Sequence, residues 1–240
     1  MARVIALIVA ALTLLVAGCG GAETEATSDP VQNVPSEDGI RAAVQKAATP
    51  SESDFPAGEG KTLQQLADGM TAGPELALAS SVFTTGGPSR MAFGMIGQDG
   101  MPVYGPTAVY VAPTPNDPAE GPFLAPADVL LTEPRYRSKQ AATTEDPFVA
   151  VYAADVEFPK RGQFAVLAAT KKDDGTLVGA TGNVTVSSAD ADPIPGVGEK
   201  APRVHTDTLE TVKGDRSLLD TREPPSDMHE VDFADVVGKE

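Results

Sequence analysis

Tryptophan is absent, cysteine occurs once, and histidine only twice in 240 residues. A lone cysteine forbids an intrachain disulfide and leaves no pair for a dithiol couple or a zinc ribbon. Bases are scarce, with 18 Lys and Arg against 34 Asp and Glu. A formal charge of −16 repels phosphate backbones, which excludes nucleic acid as a partner. Aromatic residues make up only 5% of the chain, while 41% of residues are hydrophobic, enough for one modest core. The surplus lies in 23 Gly and 21 Pro, punctuation that favours short strands and turns over long helices.

Charge is distributed unevenly. Residues 23–60 hold eight acids and two bases, and residues 189–240 hold thirteen acids and six bases. Between them, residues 61–188 are closer to balance, with thirteen acids and nine bases. That pattern reads as one globular block between two solvated acidic arms.

The chain opens with Arg3 and an apolar run from Val4 to Ala17, too short to span a ~30 Å hydrocarbon core comfortably. It fits the apolar stretch of a secretory signal. The run ends in Val16, Ala17, Gly18 and Cys19. This resembles the bacterial lipobox: an aliphatic residue, two small residues, then cysteine. The resemblance implies cleavage before Cys19, a diacylglyceryl thioether on its sulfur, and a location on the outer face of the cell membrane. Two acyl chains anchor stably, at ~0.8 kcal/mol per buried methylene. Residues 20–38 are polar and acidic, as a tether would be.

Residues 39–48 and 62–67 predict two short helices, the first with Asp38 as N-cap, the second capped by Thr62 with Gln65 three residues on. Neither is long enough to be stable undocked. From residue 76 the apolar period changes to two. Strands are expected over 76–83, 90–96, 103–111, 148–158, 162–170 and 176–187, with a short edge strand at 136–140. Residues 113–126 read as a Pro-rich connection, and Lys172-Asp173-Asp174-Gly175 as a hairpin turn. About seven strands without interleaved long helices predict an all-β chain: an immunoglobulin-like antiparallel β-sandwich with disordered acidic N- and C-terminal arms. The expected division is a signal peptide over 1–18, a lipid-anchored flexible spacer over 19–60, the sandwich with its helical lead-in over 61–188, and a linker with further lead-in over 189–240.

In the last stretch, Val197-Gly198-Glu199-Lys200-Ala201-Pro202 and the later Asp227-Met228-His229-Glu230-Val231-Asp232-Phe233-Ala234-Asp235-Val236-Val237-Gly238-Lys239 resemble the lead-in of a thioredoxin-like (redoxin) domain. Actinobacterial lipoproteins join such a domain to a β-sandwich. The resemblance implies a front part truncated at Glu240, before the buried central strand and the cysteine motif, so no residue matches the family's redox cysteines. Apolar residues of this tail are too scattered to close a core.

Chemistry is sparse. His205 and His229 with nearby carboxylates are not preorganised for a metal and read as solvated. Met91, Met95 and Met101 suit copper(I) by softness, but Met91 and Met95, about 13 Å apart on a strand at 3.3 Å per residue, read as core. Ser80, Ser81 and Ser89 lack a histidine base within the block. Asp155 and Glu157 share one strand face without a matching acid and read as solvated. Gly86-Gly87-Pro88 is a turn rather than a phosphate loop, and Asn183-Val184-Thr185 is a chance match to a glycosylation acceptor.

One local positive cluster, Arg135, Tyr136 and Arg137 with Lys139, lies in sequence near an exposed-looking apolar loop that includes Phe123. It reads either as a partner contact or as an edge strand protected by charge. The expectation is therefore a non-catalytic scaffold or binding module with no cofactor and no metal. Its partners would be the membrane, through the diacylglyceryl anchor, and an extracytoplasmic protein or downstream thioredoxin-like domain. The alternatives are a truncated thiol-disulfide oxidoreductase and a ligand- or metal-binding lipoprotein.

Overall fold

Apolar alternation determines which side chains the strands turn inward. The computed structural model describes residues 31, 34, 39–131, 146–191, 194–196, 198–221 and 228–239. In β3 (Pro88–Ile96) Met91, Phe93 and Met95 are buried at every second position. β7 (Ala150–Glu157) turns Tyr152, Ala154 and Val156 inward, and β8 (Gly162–Lys171) turns Phe164, Val166 and Ala168 inward. Period-two burial of this kind is what a two-sheet core requires.

With β1 (Thr71–Ala72), β2 (Glu75–Leu78), β4 (Thr107–Ala112), β5 (Glu120–Leu124), β6 (Ala127–Val129) and β9 (Leu177–Val186), two sheets form. One has the order β2-β3-β7-β6, the other β1-β9-β8-β4-β5. Every pairing is antiparallel except β1 with β9. Leaving β1 aside, the orders match the A-B-E-D and G-F-C-C′ sheets of immunoglobulin-type sandwiches. The chain is all-β, with an immunoglobulin-like fold.

Between the sheets, Phe93 stacks on Tyr152 with ring centroids 5.4 Å apart, and Phe158 meets Phe164 edge-on at 5.1 Å. A second apolar layer lies outside the five-stranded sheet. β4 is buried along its whole length because Val109 and Val111 face the inner core while Ala108, Tyr110 and Ala112 face the outer layer. The outer layer is covered by α2 (Leu63–Asp68), whose Leu63 and Leu66 are buried there with Phe55. Thr62 caps α2 as expected: its hydroxyl accepts from Gln65 N at 3.2 Å, and Gln65 Oε1 accepts from Thr62 N at 2.9 Å.

Several boundaries differ from expectation. Residues 39–60, assigned to the flexible spacer by composition, are packed. α1 (Ile40–Ala47) places Val44 and Ala47 in the inner core, with Ile40 against it. Positions i, i+4 and i+7 give even this short helix one apolar stripe to bury. Its N-cap position is held by Gly39 at φ 76, and the expected Asp38 lies outside the described residues. β2 stops at Leu78, where the ladder becomes irregular: Ala79 N and Ser80 N both donate to Ala92 O, and Ser80 Oγ donates to Arg90 O and accepts from Ala92 N, both at 2.9 Å. β4 begins at Thr107 rather than Val103, since the chain first turns through Gly105. A Cβ at Gly105 would overlap the Lys171 carbonyl, so only glycine lets these backbones meet.

The Pro-rich connection conceals β5, and β6 follows directly on its last proline, Pro126. β5 contains Pro122 at the sheet edge, where a missing N–H costs no ladder bond. The expected edge strand at 136–140 lies outside the described residues. The described residues of the acidic C-terminal arm, 198–221 and 228–239, add no strand to either sheet; they form turns, two 3-10 segments and α3 (Phe233–Val236).

Candidate functional site

Two tyrosines organise one end of the sandwich. Tyr152 Oη accepts from Gly105 N at 3.0 Å and reaches the carbonyls of Val103 and Gly105 at 3.0 and 3.2 Å. Tyr104 Oη accepts from Val149 N and Ala150 N at 3.0 and 3.1 Å, and lies 3.2 Å from Pro147 O. Each tyrosine thus holds the chain near the other, and Thr107 and Thr170 share a buried hydroxyl contact of 2.8 Å close by. Burial pushes both phenols up, Tyr152 to about 12, because the phenolate would lose its water. These groups remain neutral donors and acceptors over physiological pH, and their role is structural.

Their arrangement fixes the neck of the segment that carries the basic cluster. Leu130 N donates to Val149 O at 2.8 Å, closing the neck. Arg135, Tyr136 and Arg137 lie outside the described residues, as do Val16, Ala17, Gly18 and Cys19. Phe123 is not in an exposed loop. It lies in β5 opposite Val109, half-buried and packed against the inner core, because β5 is a sheet strand and not a free connection. Instead, Leu130 and Phe148 present apolar surface at the neck, 43% and 41% exposed. Sequence reasoning missed both. The signal was available, since these large apolar residues flank the stretch of sequence that carries the basic cluster.

Other candidate chemistry separates when placed in space. Met91 and Met95 are core residues, and Met101 is exposed. Asp155 and Glu157 face solvent on β7, where Asp155 is registered opposite Arg90 and Arg90 Nη2 donates to Asp128 at 2.6 Å. Ser89 is buried and bonded to the Thr84 backbone, its hydroxyl donating to Thr84 O at 3.0 Å. Both histidines are in the C-terminal arm, each against an aspartate: His205 Nδ1 lies 2.5 Å from Asp232 Oδ2, and His229 Nε2 lies 3.8 Å from Asp220 Oδ2. Among the described residues no group of three or more His, Cys, Asp or Glu is placed to hold a metal ion.

Two clefts of about 570 and 490 Å³ flank α2. The first is lined by residues that include Lys61, Gln65, Leu66 and Met70, the second by residues that include Glu75, Leu76, Leu167 and Thr181. Both are open surface troughs rather than enclosed pockets. Two ion pairs hold the lead-in to the β8–β9 hairpin, Lys46 with Asp173 at 2.7 Å and Lys171 with Asp54 at 2.9 Å. The Lys171 hydrogen bond holds the Asp54 carboxyl below its ordinary range. No helix among the described residues is long and apolar enough to cross a membrane.

No family model matches the chain. No curated protein matches it. Among solved structures it is similar to the PKD domain of the human VPS10 domain-containing receptor SorCS2, at 13% identity over 53% of this chain and 79% of that chain, with a TM-score of 0.21. So low a superposition leaves the fold assignment to the sheet orders themselves.

Proposed function

We propose that the chain is a lipid-anchored module on the outer face of the cell membrane, and that its β-sandwich is a non-catalytic scaffold presenting a protein-binding surface. The observation that carries this reading is the order of the N-terminal sequence: an apolar run, Val16-Ala17-Gly18-Cys19, then a polar acidic stretch before α1. A thioether on Cys19 would hold the sandwich a spacer's length from the bilayer. The surface proposed for the partner is the neck at Leu130 and Phe148, together with Arg135, Tyr136 and Arg137. Exposed apolar groups flanking a sequence stretch that carries guanidinium groups favour an acidic protein surface with an apolar centre.

The C-terminal arm, by its Val197–Pro202 and Asp227–Lys239 resemblance, is proposed to lead towards a thioredoxin-like domain that the sandwich positions. With Cys19 as the only thiol, the chain itself should show no more disulfide reduction than its Cys19→Ser variant.

Growth of expressing bacteria with radiolabelled palmitate tests the anchor. The wild-type chain should carry label and sediment with membranes, and Cys19→Ser should do neither. An unlabelled wild-type chain, or label retained in Cys19→Ser, overturns the reading.

A further inference from the structure

The only two histidines of the chain both fall in the C-terminal arm, His205 against Asp232 at a separation of 27 residues and His229 against the nearer Asp220. His205 joins the stretch around residues 203–209 to the stretch at 228–236 through Asp232. That carboxylate also accepts from Thr206 N at 2.9 Å and Ala234 N at 3.0 Å, so it caps α3 and receives the incoming chain at once. Phe233 N donates back to Thr206 Oγ1 at 2.9 Å, Arg203 Nη2 donates to Ala234 O at 2.5 Å, and Leu209 N donates to His229 O at 3.0 Å. His229 in turn faces Asp220. Little apolar burial supports this arrangement: among the described residues of the arm Ala234 is the buried hydrophobic one and Thr208 the buried polar one, while Leu218, Met228, Val231 and Val236 are exposed. An element held by polar ties and almost no core responds to the charge on those ties.

From these contacts we infer that the stretches 198–221 and 228–239 form a pH-gated latch, closed when the His205 imidazolium sits on Asp232 and loosened when that imidazole is neutral. The charged groups facing His205 are Asp232 and Asp235, which favour its protonation, and Arg203, which opposes it. The Asp232 contact dominates, and the imidazole titrates above its ordinary value of 6.5. Asp232, bonded by His205 and two backbone amides, is driven down to about 2 and stays ionised. The latch is therefore fully supported below the ordinary imidazole value and loses that support as pH rises through the raised one. On the acid side it fails only below the ordinary carboxyl value of 3.8, as pH falls towards about 2. His205 is highly exposed, so salt should weaken the tie. The proposal is independent of the lipid anchor.

The test is a ¹⁵N NMR titration of the full chain in detergent micelles, from about pH 5 to about pH 9, the range that brackets imidazole ionisation. It follows the His205 ring protons and the exchange protection of the Thr206 and Phe233 amides. The His205 midpoint should lie above that of the urea-unfolded chain and return to it in Asp232→Asn. Protection, corrected for intrinsic exchange, should fall by about twofold or more across the wild-type titration, the scale of an exposed ion pair. It should stay flat in His205→Gln, whose amide keeps a polar group there without a charge. A His205 midpoint unchanged by Asp232→Asn, or protection that falls equally in His205→Gln, overturns the latch.

Discussion

Met91 and Met228 are the same residue in two regions with opposite fates: the first is wholly buried between the sheets, the second 79% exposed in the C-terminal arm. The arm is not short of apolar residues. Leu218, Val231 and Val236 lie in it, and all three are exposed. What it lacks is period. In β3 and β8 every second side chain meets the opposing sheet, so each burial supports the next. In the described part of the arm the apolar residues fall on turns, short 3-10 segments and the four-residue α3, none of which pairs into a sheet. Content of hydrophobic residues does not make a core; their spacing on paired strands does.

That contrast can be attacked first where burial is deepest. Phe93→Ala removes a fully buried ring stacked on Tyr152, and should cost ~3–5 kcal/mol in denaturant unfolding. A loss near zero would mean that the sheets do not close on one another as described. Next in size is Tyr152→Phe, which leaves Gly105 N and the Val103 carbonyl without their shared partner and should cost ~1–3 kcal/mol. The same variant sharpens the point by pH. A phenol held up to about 12 in the folded chain ionises near 10 when unfolded, so wild-type stability should fall as pH rises through that interval. In Tyr152→Phe this alkaline loss should be smaller, which melting curves at increasing pH would reveal.

Thr62→Ala removes the α2 cap and should cost about 1 kcal/mol, read as a lower melting temperature. Smallest of all, Met228→Ser in the arm should change global stability by less than ~0.5 kcal/mol. A larger loss there would show that the arm packs on the sandwich and would erase the distinction between the two regions.

Legibility in the sequence followed the same line. β3, β7, β8 and β9 lie within a residue or two of where alternation placed them, since each buries one face against the opposing sheet. β5 and β6 stayed hidden because Pro122 and Pro126 read as loop punctuation, while at a sheet edge proline is tolerated. The role of α1 was equally hidden. Eight residues carry too little signal to announce a core element, and only the space between the sheets reveals where Val44 and Ala47 go. At the candidate partner surface, Phe123 looked exposed because its neighbours are Gly and Pro, yet strand pairing with Val109 turns it towards the core. Phe148 looked like a strand residue and Leu130 carried no assignment, and both are instead the exposed neck.

By itself the sequence determined the all-β class, the charge separation between block and arms, and the inward faces of four long strands, because composition and period are local properties of the chain. The tertiary structure alone decided which sheet each strand joins, that the outer face of β4 lies under α2, and that His205 meets Asp232. Those outcomes depend on residues far apart along the chain being brought within a few ångströms, and no local pattern encodes that distance.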